Sequence, residues 1–248
     1  FFVLSISLSQ YCFADFRDGG NAYIRGDYEA AAREFIPLAE RGDHRAMYAL
    51  GSMYAEGQGV EKNLEKAFEL FNEAARNGRA DAMYKLGIMY EEGIAVKQDY
   101  RKSLRHYQKS SKQGYPLSQY RFGLMYARGL GVSQNNINAY AWLTVAGHYF
   151  IYELAEEEKH DYETEDEHKR EILLFQKEEK DRVLNEIINH LQALRPELTE
   201  SDVEEISQKV INYSKYRKKY RKISIRDGRL EHKIENLFLP ETLLPYTD

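Results

Sequence analysis

Apolar residues recur through the middle of this chain with a period of 36 residues. Within one period they stand at helical spacing and form a single apolar face. The recurring set is Ala46, Leu50, Gly51, Met53, Tyr54, Gly57 and Val60, then Ala82, Leu86, Gly87, Met89, Tyr90, Gly93 and Val96, then Ser118, Phe122, Gly123, Met125, Tyr126, Gly129 and Val132. A fixed period of this length is typical of a solenoid, in which each unit buries its apolar face only against its neighbours. The pattern therefore predicts an all-α fold, an α/α superhelical solenoid of helix pairs.

Each period contains signals for two helices. Gly57 suits the left-handed conformation that closes the first helix, and Asn63 suits the N-terminal cap of the second. The buried side of the second helix is expected to carry Leu64, Ala67, Phe68, Leu70, Phe71, Ala74 and Ala75. The spacing extends backward to a degenerate unit, whose leading helix covers about residues 16–25, and forward to Trp142 and Ala146. We expect one degenerate, two full and one altered repeat.

The pattern breaks after Gly147, so the repeat solenoid is expected over residues 15–150. Residues 151–182 are strongly acidic at first and mixed in charge later, which predicts an extended polar helix or a charged insertion. A solvated face is favoured there over a binding tract. Residues 183–222 regain helical spacing and are expected to cap the open end of the solenoid. Residues 223–248 are expected to form an irregular tail.

Residues 1–14 look like the end of a secretory signal peptide, with an apolar stretch from Phe1 to Leu8 and cleavage expected after Ala14. A short buried helix is the alternative. Cys12 is the only cysteine of the chain, so cleavage would leave no disulfide and no thiol catalyst. We therefore expect a periplasmic or secreted protein with no transmembrane segment in the mature chain.

The repeated residues resemble the pattern of Sel1-like repeats, which are related to tetratricopeptide repeats. The pattern A-x-x-x-L-G-x-x-Y-x-x-G-x-G-V, followed by K-A and A-A-x-x-G, is met by Ala46, Leu50, Gly51, Tyr54, Gly57, Gly59, Val60, Lys66, Ala67, Ala74, Ala75 and Gly78. The next unit departs from it at Ala95, Ser103, Ser110 and Ser111, which are small and are expected to pack similarly. The resemblance covers about residues 16–147, and it implies an exported bacterial protein that presents adaptor surfaces.

In the tetratricopeptide arrangement, the first helix of each pair lines a concave groove that binds peptides. The groove-facing positions are then Arg45, Tyr48, Ser52, Ala55 and Glu56, followed by Asp81, Tyr84, Ile88, Glu91 and Glu92, and by Leu117, Tyr120, Leu124, Ala127 and Arg128. Tyr48, Tyr84 and Tyr120 would form a row of rings suited to recognition of protein or glycan. The alternative is that these rings fill the space between adjacent helices.

A second candidate surface is basic and lies between residues 214 and 226. Its cations are interleaved with two tyrosines and comprise Lys215, Arg217, Lys218, Lys219, Arg221 and Lys222. Such a pattern can bind RNA or anionic lipid, but Lys and Arg also favour the C-terminus of a helix. Because an exported protein rarely meets nucleic acid, we expect a solvated helix end. Contact with an anionic envelope surface or with the acidic segment is the alternative.

The sequence carries no pattern that marks an enzyme. Its seven histidines supply no closed set of metal ligands, and no phosphate loop, nucleophile elbow or H-E-x-x-H motif occurs. We expect no catalytic residue, metal or cofactor. The predicted function is that of a non-enzymatic scaffold in the bacterial envelope or secreted space. Its expected partner is a protein or peptide from the cell wall or a host. One alternative is an exported β-lactamase or penicillin-binding member of the family. Such members resemble a version of the repeat that is stapled by cysteine pairs, and this chain has only one cysteine. The other is an envelope regulator that uses the basic C-terminal helix.

Overall fold

The computed structural model describes residues 15–157 and 167–214 of the 248-residue chain. No β-strand occurs among these residues. The helices are α1 (Phe16–Ile24), α2 (Tyr28–Glu40), α3 (His44–Glu56), α4 (Leu64–Arg76), α5 (Ala80–Glu92), α6 (Tyr100–Lys112), α7 (Pro116–Arg128), α8 (Asn136–Glu157), α9 (Glu167–Leu194) and α10 (Glu200–Ser214), with a 3-10 helix at Arg195–Glu197. The predicted fold class, an all-α solenoid of helix pairs, is confirmed.

The second helix of every repeat begins at a side-chain cap that also recurs every 36 residues. The caps are Asp27, Asn63, Asp99 and Asn135, which accept hydrogen bonds of 3.0, 2.8, 3.0 and 2.8 Å from the backbone N–H three residues later. Such an oxygen satisfies a helix N–H that has no partner inside the helix, and it contributes about 1 kcal/mol. The cap predicted at Asn63 is confirmed.

The turn after the first helix of a repeat uses the left-handed region of backbone space. Gly57 closes α3 with φ 75°, as predicted, and its N–H donates to the carbonyl of Met53 at 2.8 Å. Two residues further on, Gly59 and Gly131 have φ 66° and 70°, but the equivalent residue of the intervening repeat is Ala95, with φ 58°. A side chain in this region costs roughly 1–2 kcal/mol. The repeat containing Ala95 therefore carries local strain that its neighbours avoid.

The chain divides into two compact units between Ala82 and Met83. In the first unit, α1, α2 and α3 enclose a core that includes Phe35, Leu50 and Met53. Fully buried alanines, Ala31 and Ala46, let the helix backbones approach one another closely. This core holds the leading helix of the degenerate repeat, α1, against α2 and α3.

In the second unit, one apolar cluster includes Tyr107, Phe122 and Trp142. A larger one joins α7 and α8 to α9 and α10, with Ile187 and Ile206 both fully buried. Because α7, α9 and α10 all pack against α8, that helix is apolar on several sides. Neither α8 nor any other helix of the described residues is long and apolar enough to cross a membrane.

Helical structure continues past Gly147, where the repeat pattern breaks. α8 runs to residue 157 and α9 begins at residue 167, so the described parts of the acidic segment are helical. The second half of α9 packs on α8, whereas its first half exposes Leu174 and Phe175. The domain boundaries expected at residues 150, 182 and 222 remain predictions.

Candidate partner-binding surfaces

The predicted groove residues of the first unit lie on α3 and at the start of α5. On α3, Arg45 and Glu56 are exposed while Tyr48 and Ser52 are half-buried, and Asp81 of α5 is half-buried. Ala55 is the one aliphatic residue predicted for this face and is half-buried, and both signs of charge are present. This first-helix face is therefore polar and partly open to solvent.

Arg45 is fixed in place by the capping residue of its own helix. Its guanidinium forms a two-point contact with Asp43, with Nε to Oδ1 at 3.1 Å and Nη2 to Oδ2 at 2.6 Å. The same guanidinium lies 4.7 Å from the ring centroid of Phe16. Hydrogen bonds from Arg45 hold the pKa of Asp43 at about 2, because they outweigh its partial burial. The cation is thus ordered although half of its side chain, 52%, remains exposed.

Tyr48 contacts an apolar ring and a cation. Its ring centroid is 5.7 Å from that of Phe71, and the guanidinium of Arg79 lies 5.2 Å from the Tyr48 centroid. Arg79 in turn pairs with Asp81, with Nε to Oδ1 at 2.9 Å. The side chains of Tyr48 and Asp81 are therefore connected through one arginine.

Tyr84 of the second unit is more enclosed. Its ring centroid is 5.9 Å from that of Tyr107 and 5.3 Å from that of Tyr115, and the charge of Arg121 acts on its phenol. Burial is the main cause of the raised pKa of the Tyr84 phenol. Most of this side chain is therefore committed to contacts within the unit.

Glu91, also predicted to face the groove, belongs to a partly buried network. The hydroxyl of Tyr107 donates to Glu91 Oε2 at 2.6 Å, and Arg121 lies 3.6 Å from Oε1. Burial, reinforced by the neighbouring carboxylate, raises the pKa of Tyr107. Glu92, the next residue, is exposed and remains accessible to a partner.

Tyr120 is covered by α9. Only 7% of it is exposed, its hydroxyl donates to Glu186 Oε2 at 2.7 Å, and its ring centroid is 6.4 Å from that of His190. Burial and the bond to Glu186 raise the pKa of Tyr120. Arg128, at the end of α7, is exposed.

Two leucines explain why α9 covers this part of α7. Leu117 and Leu124, at positions predicted to face the groove, pack in the same apolar cluster as the second half of α9. Their equivalents 72 residues earlier are Arg45 and Ser52. These two repeat positions are thus polar and partly exposed on α3, but apolar and covered by α9 on α7.

The three tyrosines of the predicted row all make packing contacts inside their own unit. These contacts agree with the interpretation that the rings fill space between helices, most clearly for Tyr84 and Tyr120. Tyr48 is half-buried, with part of its surface exposed. A role in binding for any of the three remains a prediction.

A basic surface on α6 was not predicted from the sequence. This helix, YRKSLRHYQKSSK, contains five Lys and Arg residues and no Asp or Glu. Four of its residues line a shallow hollow: Lys102, Arg105, His106 and Lys109. Comparing charges, and not only apolar positions, at the 36-residue spacing would have revealed it.

The other candidate surfaces fall largely outside the described residues. These are the signal segment 1–14 and the basic stretch 215–222. Within residues 15–157 and 167–214, no group of three or more His, Cys, Asp or Glu side chains is placed to hold a metal ion.

Comparison with known proteins identifies repeats and relatives. The sequence model of the Sel1 repeat family matches residues 44–78, 80–115 and 116–147. An exopolysaccharide production negative regulator of Rhizobium meliloti (strain 1021) is 38% identical over 61 residues. One with the same description, from Rhizobium leguminosarum bv. viciae, is 36% identical over 58 residues. These matches cover 25% and 23% of this chain but only 23% and 22% of the two relatives.

Two solved structures are also similar. A Sel1 repeat protein from Oxalobacter formigenes is 31% identical, with 47% of this chain and 88% of that chain covered and a TM-score of 0.45. The protein c5321, a protective antigen present in uropathogenic Escherichia coli strains, displays an SLR fold and is 19% identical. In that case 79% of this chain and 51% of the other are covered, with a TM-score of 0.48.

Proposed function

The chain belongs to the Sel1 repeat family, and from this we propose that it is a non-enzymatic scaffold of the bacterial envelope that binds a protein partner through first-helix faces of its repeats. Sel1 repeats typically serve as protein-interaction scaffolds. In this chain the face on α3 is the best candidate, and its residues are Arg45, Tyr48, Ser52 and Glu56. Glu92 and Arg128 are the accessible candidates of the second unit.

The observation that carries this proposal is the contrast between α3 and α7. On α7 the positions predicted to face the groove, Leu117, Tyr120 and Leu124, pack in one apolar cluster with a helix of the same chain, α9. The equivalent positions on α3 are polar and exposed or half-buried, which suits a separable partner better than a permanent core contact. Arg45 and Glu56 stand near opposite ends of α3, so a matching partner segment carries an acidic group at one end and a basic group at the other.

The names of the two rhizobial relatives favour a regulatory role. We propose that this chain restrains the production of an extracellular polysaccharide by binding a regulatory protein in the envelope. The match to each relative covers less than a quarter of its length, so this role rests on the shared repeats alone.

Site-specific cross-linking tests the surface. A photoreactive amino acid at Ser52, on the first-helix face, is expected to capture a partner in living cells. The matched control places the same residue at Glu65, an exposed position of the second helix α4. Equal capture of one partner at both positions, or no capture at Ser52, would contradict the assignment of this face.

Charge reversal tests the contact with the captured partner. We expect the double variant R45E/E56R to weaken binding by roughly tenfold or more, because two complementary charge pairs become repulsive. In the source bacterium, the same variant should fail to restore normal polysaccharide output to a deletion strain. A variant that binds and complements like the wild type would overturn the proposal.

Two further measurements test the envelope and non-enzymatic parts of the proposal. Mass spectrometry of the protein isolated from the source bacterium should find a mature N-terminus at Asp15, in the periplasmic or secreted fraction. Purified protein should not hydrolyse the chromogenic β-lactam nitrocefin, since the chain lacks the cysteine pairs of the β-lactamase-like members. Cytoplasmic fractionation, or measurable turnover, would refute the corresponding part.

A further inference from the structure

The helix α6 carries positive charge at the positions where the preceding repeat carries negative charge. Its residues Arg101, Arg105 and Lys109 stand 36 residues after Glu65, Glu69 and Glu73 of α4. The two remaining charged positions of α4, Lys66 and Arg76, are basic in both repeats, as Lys102 and Lys112 in α6. The repeat scaffold is thus kept while three charges change sign.

The five cations form a continuous stripe, which we call the α6 basic face: Arg101, Lys102, Arg105, Lys109 and Lys112. All five are exposed, and at a rise of 1.5 Å per residue the stripe extends over about 16 Å. Within residues 15–157 and 167–214, Lys102 alone of the five has a carboxylate oxygen within 4.0 Å, that of Asp99. The positive charge is therefore largely uncompensated by the described part of the chain.

Two aromatic rings beside this face, those of Tyr90 and His106, contact each other. The ring of His106 stacks on Tyr90, with centroids 5.5 Å apart and an interplanar angle of 15°, and the ammonium of Lys102 lies 5.1 Å from the Tyr90 centroid. His106 Nδ1 is buried and has no hydrogen-bond partner among the described residues. One face of each ring is therefore used within the chain, which leaves less aromatic surface for stacking on a nucleobase.

Apolar anchors are missing from the face as well. The exposed large hydrophobic side chains of the described residues are Ile24, Leu174 and Phe175, and none belongs to α6. A protein partner normally needs such an anchor, and a membrane-bound helix needs an apolar side to insert. Binding of single-stranded nucleic acid relies on stacking against open aromatic rings. An extended polymer of fixed negative charge can bind to a row of cations without an apolar anchor or an open aromatic ring.

We propose that the α6 basic face binds an anionic polysaccharide, a chain whose sugar rings carry carboxylates. Its length suits several successive sugars better than one small anion. Lys and Arg supply charge-assisted hydrogen bonds to successive carboxylates. This site lies on α6, the second helix of its repeat, and does not depend on the protein-binding face proposed on α3.

The test is a titration of the full chain with a polygalacturonate oligosaccharide at several ionic strengths, with a neutral glucan of equal length as a control. The variant R101Q/R105Q/K109Q should bind roughly tenfold or more weakly at low salt. Its salt dependence should also be shallower, by about two to three in the slope of log K against log salt concentration. Glutamine keeps the helix propensity high, and circular dichroism checks the fold.

Two variants separate this site from general electrostatic attraction. R17Q/R25Q/R33Q removes the same number of exposed charges from the first unit and should leave polygalacturonate binding within about twofold. E65R/E69R/E73K places the same three cations on α4 and should add a second binding site. Equal loss in the two glutamine variants, no saturable binding by the wild type, or tighter binding of a duplex DNA oligomer would overturn the proposal.

Discussion

The hydroxyl of Tyr107 donates a 2.6 Å hydrogen bond to Glu91, and both residues replace apolar ones of the preceding repeat. At the equivalent positions that repeat has Phe71 and Ala55. The added hydroxyl and the added carboxylate satisfy each other, and Arg121 lies 3.6 Å from the second carboxylate oxygen. A polar pair has thus been introduced at a position where the neighbouring repeat shows that an apolar pair also fits.

We expect Tyr107→Phe to destabilise the protein by about 1–3 kcal/mol, because it leaves the mostly buried Glu91 without its donor. Adding Glu91→Ala restores the residue types of the preceding repeat and should recover part of that loss. The coupling energy between the two positions should be about 1–2 kcal/mol, measured by chemical denaturation in a double-mutant cycle.

Tyr126→Phe is a suitable control for this cycle. The pKa of Tyr126 is raised by burial alone, with no charged or hydrogen-bonding neighbour contributing. Loss of the Tyr126 hydroxyl should therefore change the free energy of unfolding far less than loss of the Tyr107 hydroxyl. Additive effects of the Tyr107 and Glu91 substitutions would show that the pair is not coupled.

Local features of the fold were predictable from the sequence, because each depends on one residue and its near neighbours. Asn63 caps α4 and Gly57 closes α3 as expected, since capping and left-handed turns have strong residue preferences. The coverage of Tyr120 by α9 was not predictable, because Glu186 lies 66 residues away along the chain. The polar partner of Tyr107 was missed for a different reason: no sequence pattern indicates which carboxylate a buried hydroxyl will reach.

Ala95→Gly should stabilise the protein by about 0.5–1 kcal/mol. Ala95 has φ 58°, a conformation that costs an L-residue roughly 1–2 kcal/mol, and glycine relieves this cost while adding some entropy to the unfolded chain. Ala55→Gly, within the helix α3, should instead destabilise by up to about 1 kcal/mol. Denaturant midpoints that move in the same direction for both variants would contradict the strain at Ala95.

Gly87→Ala should be strongly destabilising. A Cβ at this position would lie 2.6 Å from Cδ1 of the fully buried Tyr107 ring, too close for a non-bonded carbon. We expect a loss of about 1–3 kcal/mol or more, as for other overpacked cores. Gly20→Ala, also within a helix, places its Cβ in open space and should be neutral or stabilising by up to about 1 kcal/mol. Similar thermal midpoints for the two variants would show that Tyr107 can move away at little cost.

His106→Leu should remove part of the acid sensitivity of the fold. Burial, with smaller effects of Lys109 and Lys102, lowers the pKa of His106 from 6.5 to about 4. Between these values the unfolded chain binds a proton that the folded chain does not, so stability falls as the pH drops from 6.5 towards 4. Leucine, the residue at the equivalent position 70, does not titrate.

The variant should therefore gain stability relative to the wild type as the pH falls through this window. Because His106 is only partly buried, we expect a gain on the order of 1 kcal/mol, well below that of a fully enclosed group. Urea denaturation at pH values spanning the window gives the comparison directly. A difference between variant and wild type that stays constant with pH would show that His106 takes up its proton equally well in the folded chain.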